Sequence, residues 1–142
     1  MSRTVLAVAW SLFQLYTAAT GLFDLLIQLP VHVAFAVALG FLTPESDAAP
    51  PSWRRFADPI AALLALACGA HYIANNGRFI ARMPFVDEPR EIDVAIGVLF
   101  VLLLLEAARR HIGPSLVIMA VAFVVYAFAG PALPGFLSHG GV

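Results

Sequence analysis

Polar chemistry is sparse in this chain, and most of it sits inside or beside long apolar runs. His32 stands in "LPVHVAF" and His71 in "CGAHYI". Two histidines at one depth on neighbouring membrane helices are the kind of ligand pair that holds a b-type haem. The competing reading has each imidazole bonded to a backbone carbonyl or another side chain. A second set closes the run "LFVLLLLEAARRHIG", where Arg109 and Arg110 lie at i+3 and i+4 from Glu106, on the same helical face. Cations are favoured at a helix C-terminus, so this set would anchor a helix end at the headgroups. Alternatively it would clamp the helix to another subunit or domain. A third set mixes Arg78, Arg82 and Arg90 with Phe79, Ile80, Met83 and Phe85. That pattern reads as a segment lying at the membrane interface, with docking of an extracytoplasmic partner as the sharper alternative. Asp58, directly before Pro59, is expected to cap a helix, at a cost of about 1 kcal/mol if lost. Catalysis finds no footing: there is no glycine-rich phosphate loop, nucleophile elbow, metal-spaced His/Glu pair or paired intramembrane carboxylate. His111 and His139 fall at loop positions, and no enzyme activity is expected.

The elements that must carry these residues are set by the solvent. Hydrophobic residues make up 61% of the chain and charged residues 12%, against about 25% charged in a soluble domain. A water-soluble fold of this size could not hide so much apolar surface. All eight basic residues are Arg, and the net charge is −1, so nothing advertises nucleic acid. The single cysteine, Cys68, excludes an intramolecular disulfide and is expected to be a small packing residue.

Five apolar segments follow: Thr4–Gly21, about Leu29–Thr43, Pro59 to about Asn75, about Pro89–His111, and Pro114 to about Ala129. The fold expected is all-α, an integral membrane helical bundle of about five transmembrane helices. The alternative is four spans plus a connecting or re-entrant helix, with Thr4–Leu29 as one long rod. The junction holding Gly21, Asp24, Gln28 and Pro30 favours a turn, hence five. Asn75-Asn76-Gly77 is expected to end the third helix, Asp87, Glu88 and Glu91 to start the fourth, and Gly113-Pro114 to separate the last two. Residues 1–129 form the expected scaffold and 130–142 a Pro/Gly-rich tail or linker that begins at Gly130. Thr4–Gly21 has features of a secretory signal, but Gln14 interrupts its core. With the N-terminus inside, Arg3, Arg54, Arg55, Arg109 and Arg110 are cytoplasmic and Arg78, Arg82 and Arg90 outside, a bias that favours this orientation. Trp53 beside Arg54-Arg55 fits an interfacial belt, while Trp10 and Tyr126 are expected in helix contacts. Stripes of small residues, Ala61/Ala65/Gly69 and Ala36/Gly40, are expected to let helices approach closely.

The order of motifs resembles the N-terminal membrane region of the fused permeases of tripartite ATP-independent periplasmic (TRAP) transporters, the group served by TAXI-type binding proteins. The matching stretches are "SLFQLYTAATG", His32 followed by "AFAVALGFLTP", "DPIAALLALACGAHYI" with Asp58 and Tyr72, "FVDEPREID", "LLEAARRHIG" and "VVYAFAGPALPGFLSHGG" with Tyr126 and Gly130. Leu29 stands where the family commonly has Arg three residues before the histidine. The resemblance implies a small Q-type scaffold subunit or domain in the bacterial inner membrane, multi-pass, with a cytoplasmic N-terminus. Its partners would be a large M-type permease subunit or domain, a periplasmic TAXI-type substrate-binding protein and the lipid bilayer. The transporter would be sodium-driven and take up organic acids, with the sodium and substrate sites on the large partner and no cofactor. Outside that resemblance, the runner-up is a haem- or quinone-associated membrane anchor of an electron-transfer complex.

Overall fold

The computed structural model describes residues 3–21, 25–44, 51–83 and 86–140, without the side chains of Leu25, Leu26 and Phe136. Asp24 of the first junction and Phe85 of the interface segment lie outside the described residues. The described residues form six α-helices and no strand: α1 (Arg3–Thr20), α2 (Leu25–Leu42), α3 (Arg54–Ala74), α4 (Asn76–Ala81), α5 (Glu91–His111) and α6 (Pro114–Ala129). Two 3₁₀ turns follow, Gly130–Ala132 and Gly135–Leu137. By length and composition two stretches are long and apolar enough to cross a membrane, Arg54–Ala74 and Pro114–Ala132. The apolar part of α2, Ile27–Leu42, is shorter. In α5 the charges at Glu91, Asp93, Glu106, Arg109 and Arg110 crowd both ends.

The chain divides into two compact units, Met1–Ala107 and Ala108–Val142. In the first, α1 and α2 are separate helices, as the junction residues predict. Gly21 closes α1 with its N–H on the Thr17 carbonyl at 2.9 Å and adopts φ +59°, a conformation that suits a residue without Cβ. The two helices run antiparallel: Thr17 meets Gln28, Gln14 meets His32 and Phe13 stacks on Phe35. Helix α2 starts at Leu25, ahead of the expected Leu29, and carries Pro30 inside it.

Helix α2 packs most extensively on α3. Its buried face is Val31, Ala34, Val37, Ala38 and Phe41, the 3–4 spacing of one helical stripe. Across from it α3 buries Ala62, Ala65, Cys68 and Gly69. Ala65 and Gly69 thus behave as the sequence predicts. On α2 the small buried residues are Ala34 and Ala38, while Ala36 and Gly40 are only partly buried. The approach is closest at Gly69, where an added Cβ would stand 2.6 Å from the Ala34 Cβ and 3.6 Å from the Pro30 carbonyl. Leu6 of α1 and Ala107 of α5 join the same apolar cluster, with Phe100 and Leu103 packed against it.

The start of α3 corrects one expectation. The helix begins at Arg54, with Trp53 at its cap position and no capping side chain, so Asp58 and Pro59 lie inside the helix and Asp58 is not its N-cap. The reason is local: Pro51, Ser52 and Trp53 already supply the carbonyls that the first N–H groups need. Arg54 N–H reaches Pro51 at 3.0 Å, and Ala57 N–H reaches Trp53 at 3.1 Å. Pro59 is the sixth residue of the helix, so the Arg55 carbonyl receives no i→i−4 bond there. The Arg54 guanidinium lies 5.5 Å from the exposed Trp53 ring.

In the second unit, Gly113 takes φ +112° and Pro114 opens α6, as predicted. Helix α6 is apolar around its circumference: Leu116, Ile118, Met119, Val121, Phe123, Val124, Val125 and Phe128 are all exposed. In water such an exposed apolar surface is unfavourable. The residues after Ala129, expected as a Pro/Gly-rich tail or linker, fold back on the end of α6. The His139 N–H donates to the Gly130 carbonyl at 3.3 Å, and the His139 ring covers Gly130, which is buried.

Candidate functional site

The polar side chains held within the helices are used mainly as ties between helices. On the first seam, the Gln14 amide donates to Nδ1 of His32, and the Trp10 ring meets the imidazole edge-on with centroids 5.0 Å apart. One turn further along, the Gln28 amide donates to the Thr17 hydroxyl at 3.3 Å, and that hydroxyl donates to the Gln14 carbonyl at 3.0 Å. Amides and hydroxyls can serve here because each finds a partner across the helix pair, which offsets the cost of taking it out of water.

The second tie gathers three elements. Asp93 stands in the first turn of α5 and its side chain is only 9% exposed. Its carboxylate accepts from Nε2 of His71 on α3 at 2.8 Å and from both terminal nitrogens of Arg78 on α4, one of them at 3.0 Å. Since a carboxylate only accepts, the proton of His71 is on Nε2 and Nδ1 is left to accept from the Asn75 amide at 3.4 Å. Asn75 also caps α3, its amide donating to the His71 carbonyl at 2.9 Å. The hydrogen bonds to Asp93 raise the pKa of the Arg78 guanidinium above its already high ordinary value. A bidentate guanidinium–carboxylate contact fixes geometry as well as charge. It ties α4 to the first turn of α5, beside the end of α3.

Aromatic packing surrounds this tie. Tyr72 lies on Phe79 with centroids 5.0 Å apart and near Phe100 at 6.4 Å, and a Cβ at Gly97 would stand 3.6 Å from its hydroxyl. Cys68 is buried as expected, with its thiol 4.0 Å from the Ile96 carbonyl. Asp87 closes the approach to α5: its carboxylate accepts from the Met83 N–H at 2.8 Å, and its carbonyl accepts from Nε of Arg82 at 3.1 Å.

The residues singled out in the sequence therefore fall in different places. His32 and His71 are each engaged by protein side chains and belong to separate ties. Tyr72 sits in the aromatic cluster between α3, α4 and α5. Glu106 and Arg110 are partly exposed and Arg109 is exposed, all on α5. In the second unit, the Tyr126 hydroxyl donates to the Leu137 carbonyl at 3.2 Å, and Nε2 of His139 donates to the Tyr126 carbonyl at 3.1 Å. Asp58, stripped of its capping role, is partly buried on α3. Sequence reasoning missed Asp93 as the hub, along with Gln14 and Thr17. The available signal was that Asp93 is the first acid on the α5 face that also carries Ile96 and Phe100, three and seven residues later. Among the described residues, no group of three or more His, Cys, Asp or Glu gathers to hold a metal ion. No known family, curated protein or solved structure matches the chain.

Proposed function

We propose that this chain is the small scaffold subunit or domain of a sodium-coupled TRAP transporter for organic acids. It crosses the bacterial inner membrane about five times, with its N-terminus in the cytoplasm, and braces the large permease against which the transport element moves. A periplasmic TAXI-type protein delivers the substrate. Two stretches meet the length and composition of spans. The remaining crossings belong to α1, α2 and α5, whose 18, 18 and 21 residues reach about 27–32 Å against a hydrocarbon core of about 30 Å. The chain performs no chemistry in this reading.

One observation carries it: several helix-borne polar groups tie one helix to another. Gln14 binds His32, and Asp93 binds His71 and Arg78. A frame needs fixed helix positions, and such ties supply them. The ordered motifs from "SLFQLYTAATG" to "VVYAFAGPALPGFLSHGG" give the frame its transporter context. The test is to express the chain beside a large TRAP permease, purify by a tag on one partner and assay sodium-dependent uptake of organic acids with and without the chain. Stable co-purification and loss of uptake without the chain are expected. Sodium-coupled accumulation by the chain alone in liposomes would overturn the reading.

A further inference from the structure

An open cleft of about 260 Å³ lies between α4 and the start of α5, lined chiefly by Arg78, Arg82, Asp87, Glu88, Arg90 and Asp93. Its charges differ in how far they are already used. Asp93 is already occupied by Arg78 and His71. Asp87 holds the Met83 N–H, and Arg82 gives Nε to the Asp87 carbonyl. That bond uses only Nε of Arg82, whose side chain also lines the cleft. Arg90 and Glu88 are exposed, with no side-chain partner among the described residues. The cleft therefore offers two guanidinium groups on one hand and carboxylate oxygens of Glu88 and Asp87 on the other.

A balanced wall of this kind does not attract a net anion or a net cation strongly. It suits a ligand that carries both charges a few ångströms apart. The surroundings say where that ligand comes from: Ile80, Met83 and Val86, next to the cleft in sequence, are 49%, 65% and 74% exposed. Apolar side chains flanking paired charges mark the boundary between hydrocarbon and headgroups. We propose that the cleft binds the headgroup of a phospholipid carrying a phosphate and a primary ammonium, a phosphoethanolamine lipid. The guanidinium groups of Arg82 and Arg90 take the phosphate, the geometry at which arginine excels. Glu88, with Asp87, accepts from the ammonium. A quaternary ammonium has no N–H to give, and a glycerol headgroup has no cation, so choline and glycerol lipids lose half of the contacts. This rests on the membrane placement proposed above and is independent of the transporter assignment.

The test uses the full chain. Flotation with vesicles first establishes that it inserts; failure to float would refute the membrane placement itself. Native mass spectrometry in detergent then compares retention of dioleoyl phosphatidylethanolamine, phosphatidylcholine and phosphatidylglycerol. The ethanolamine lipid is expected to be retained about fivefold more than either of the others, the size of a pair of exposed charge-assisted contacts. Arg82→Gln with Arg90→Gln is expected to remove the preference. Glu88→Gln, at an exposed position, is expected to weaken ethanolamine-lipid binding and spare glycerol-lipid binding. Arg55→Gln, on α3 away from the cleft, is the control and is expected to change nothing. Equal retention of the three lipids, preference for the glycerol lipid, or indifference to the Glu88 substitution would overturn the proposal. So would soluble phosphoethanolamine binding as tightly as the lipid, since the acyl chains would then contribute nothing.

Discussion

Gly69→Ala tests the packing of α2 on α3 with the smallest possible change. The added methyl would stand 2.6 Å from the Ala34 Cβ, whereas carbon atoms prefer about 3.5–4.0 Å. Ala34 has no rotamer with which to withdraw, so the helix backbones must part by about 1 Å. Overpacking of this kind costs about 1–3 kcal/mol. Removing a glycine from a helix interior returns about 0.8–1.0 kcal/mol. The net loss expected for the single variant is therefore about 0–2 kcal/mol. A double-mutant cycle isolates the clash from the propensity term: Ala34→Gly removes the obstructing methyl, so the pair Ala34→Gly/Gly69→Ala is expected to be more stable than the sum of its parts by about 1–3 kcal/mol. Reversible unfolding in mixed micelles, followed by circular dichroism, measures all four corners. Additivity within about 0.5 kcal/mol would refute the close approach of the two helices at this point.

Asp93→Ala removes the acceptor shared by His71 and Arg78, and a lower thermal midpoint in detergent is expected. Arg78→Gln is expected to add little in the Asp93→Ala background, because both act through one network; full additivity of the midpoint shifts would argue against the tie. Glu106→Ala is expected to reduce co-purification with a large permease if Glu106 belongs to an inter-subunit clamp, and unchanged recovery would leave it as an interface anchor. Gly130→Ala would drive a methyl into the His139 ring. Faster hydrogen exchange at the amides of Leu133 and His139, which both donate to the Gly130 carbonyl, is the expected outcome; unchanged protection would mean that the ring does not hold the turn.

The sequence by itself determined that the chain is helical and where several helices stop. Gly113-Pro114 ends one helix and starts the next because glycine tolerates φ +112° and proline suits a first turn. Gly21 and Asn75 end their helices for similarly local reasons, and the apolar circumference of α6 is written residue by residue. Tertiary structure decided the rest. In an apolar helix the sequence carries little information about which face turns inward, since every face is greasy and successive residues differ by only about 100°. Hence Ala34 and Ala38, rather than Ala36 and Gly40, line the seam with α3. Asp58 resembled a cap because Asp-Pro is a common helix start, yet the turn at Pro51–Trp53 supplied the carbonyls earlier. Asp93 was one acid among several near the start of α5, and only the approach of α3 and α4 gave it two cationic or donor partners from residues 22 and 15 positions away. Local backbone chemistry sets helix ends; the pairing of distant side chains is set by which helices come to lie side by side.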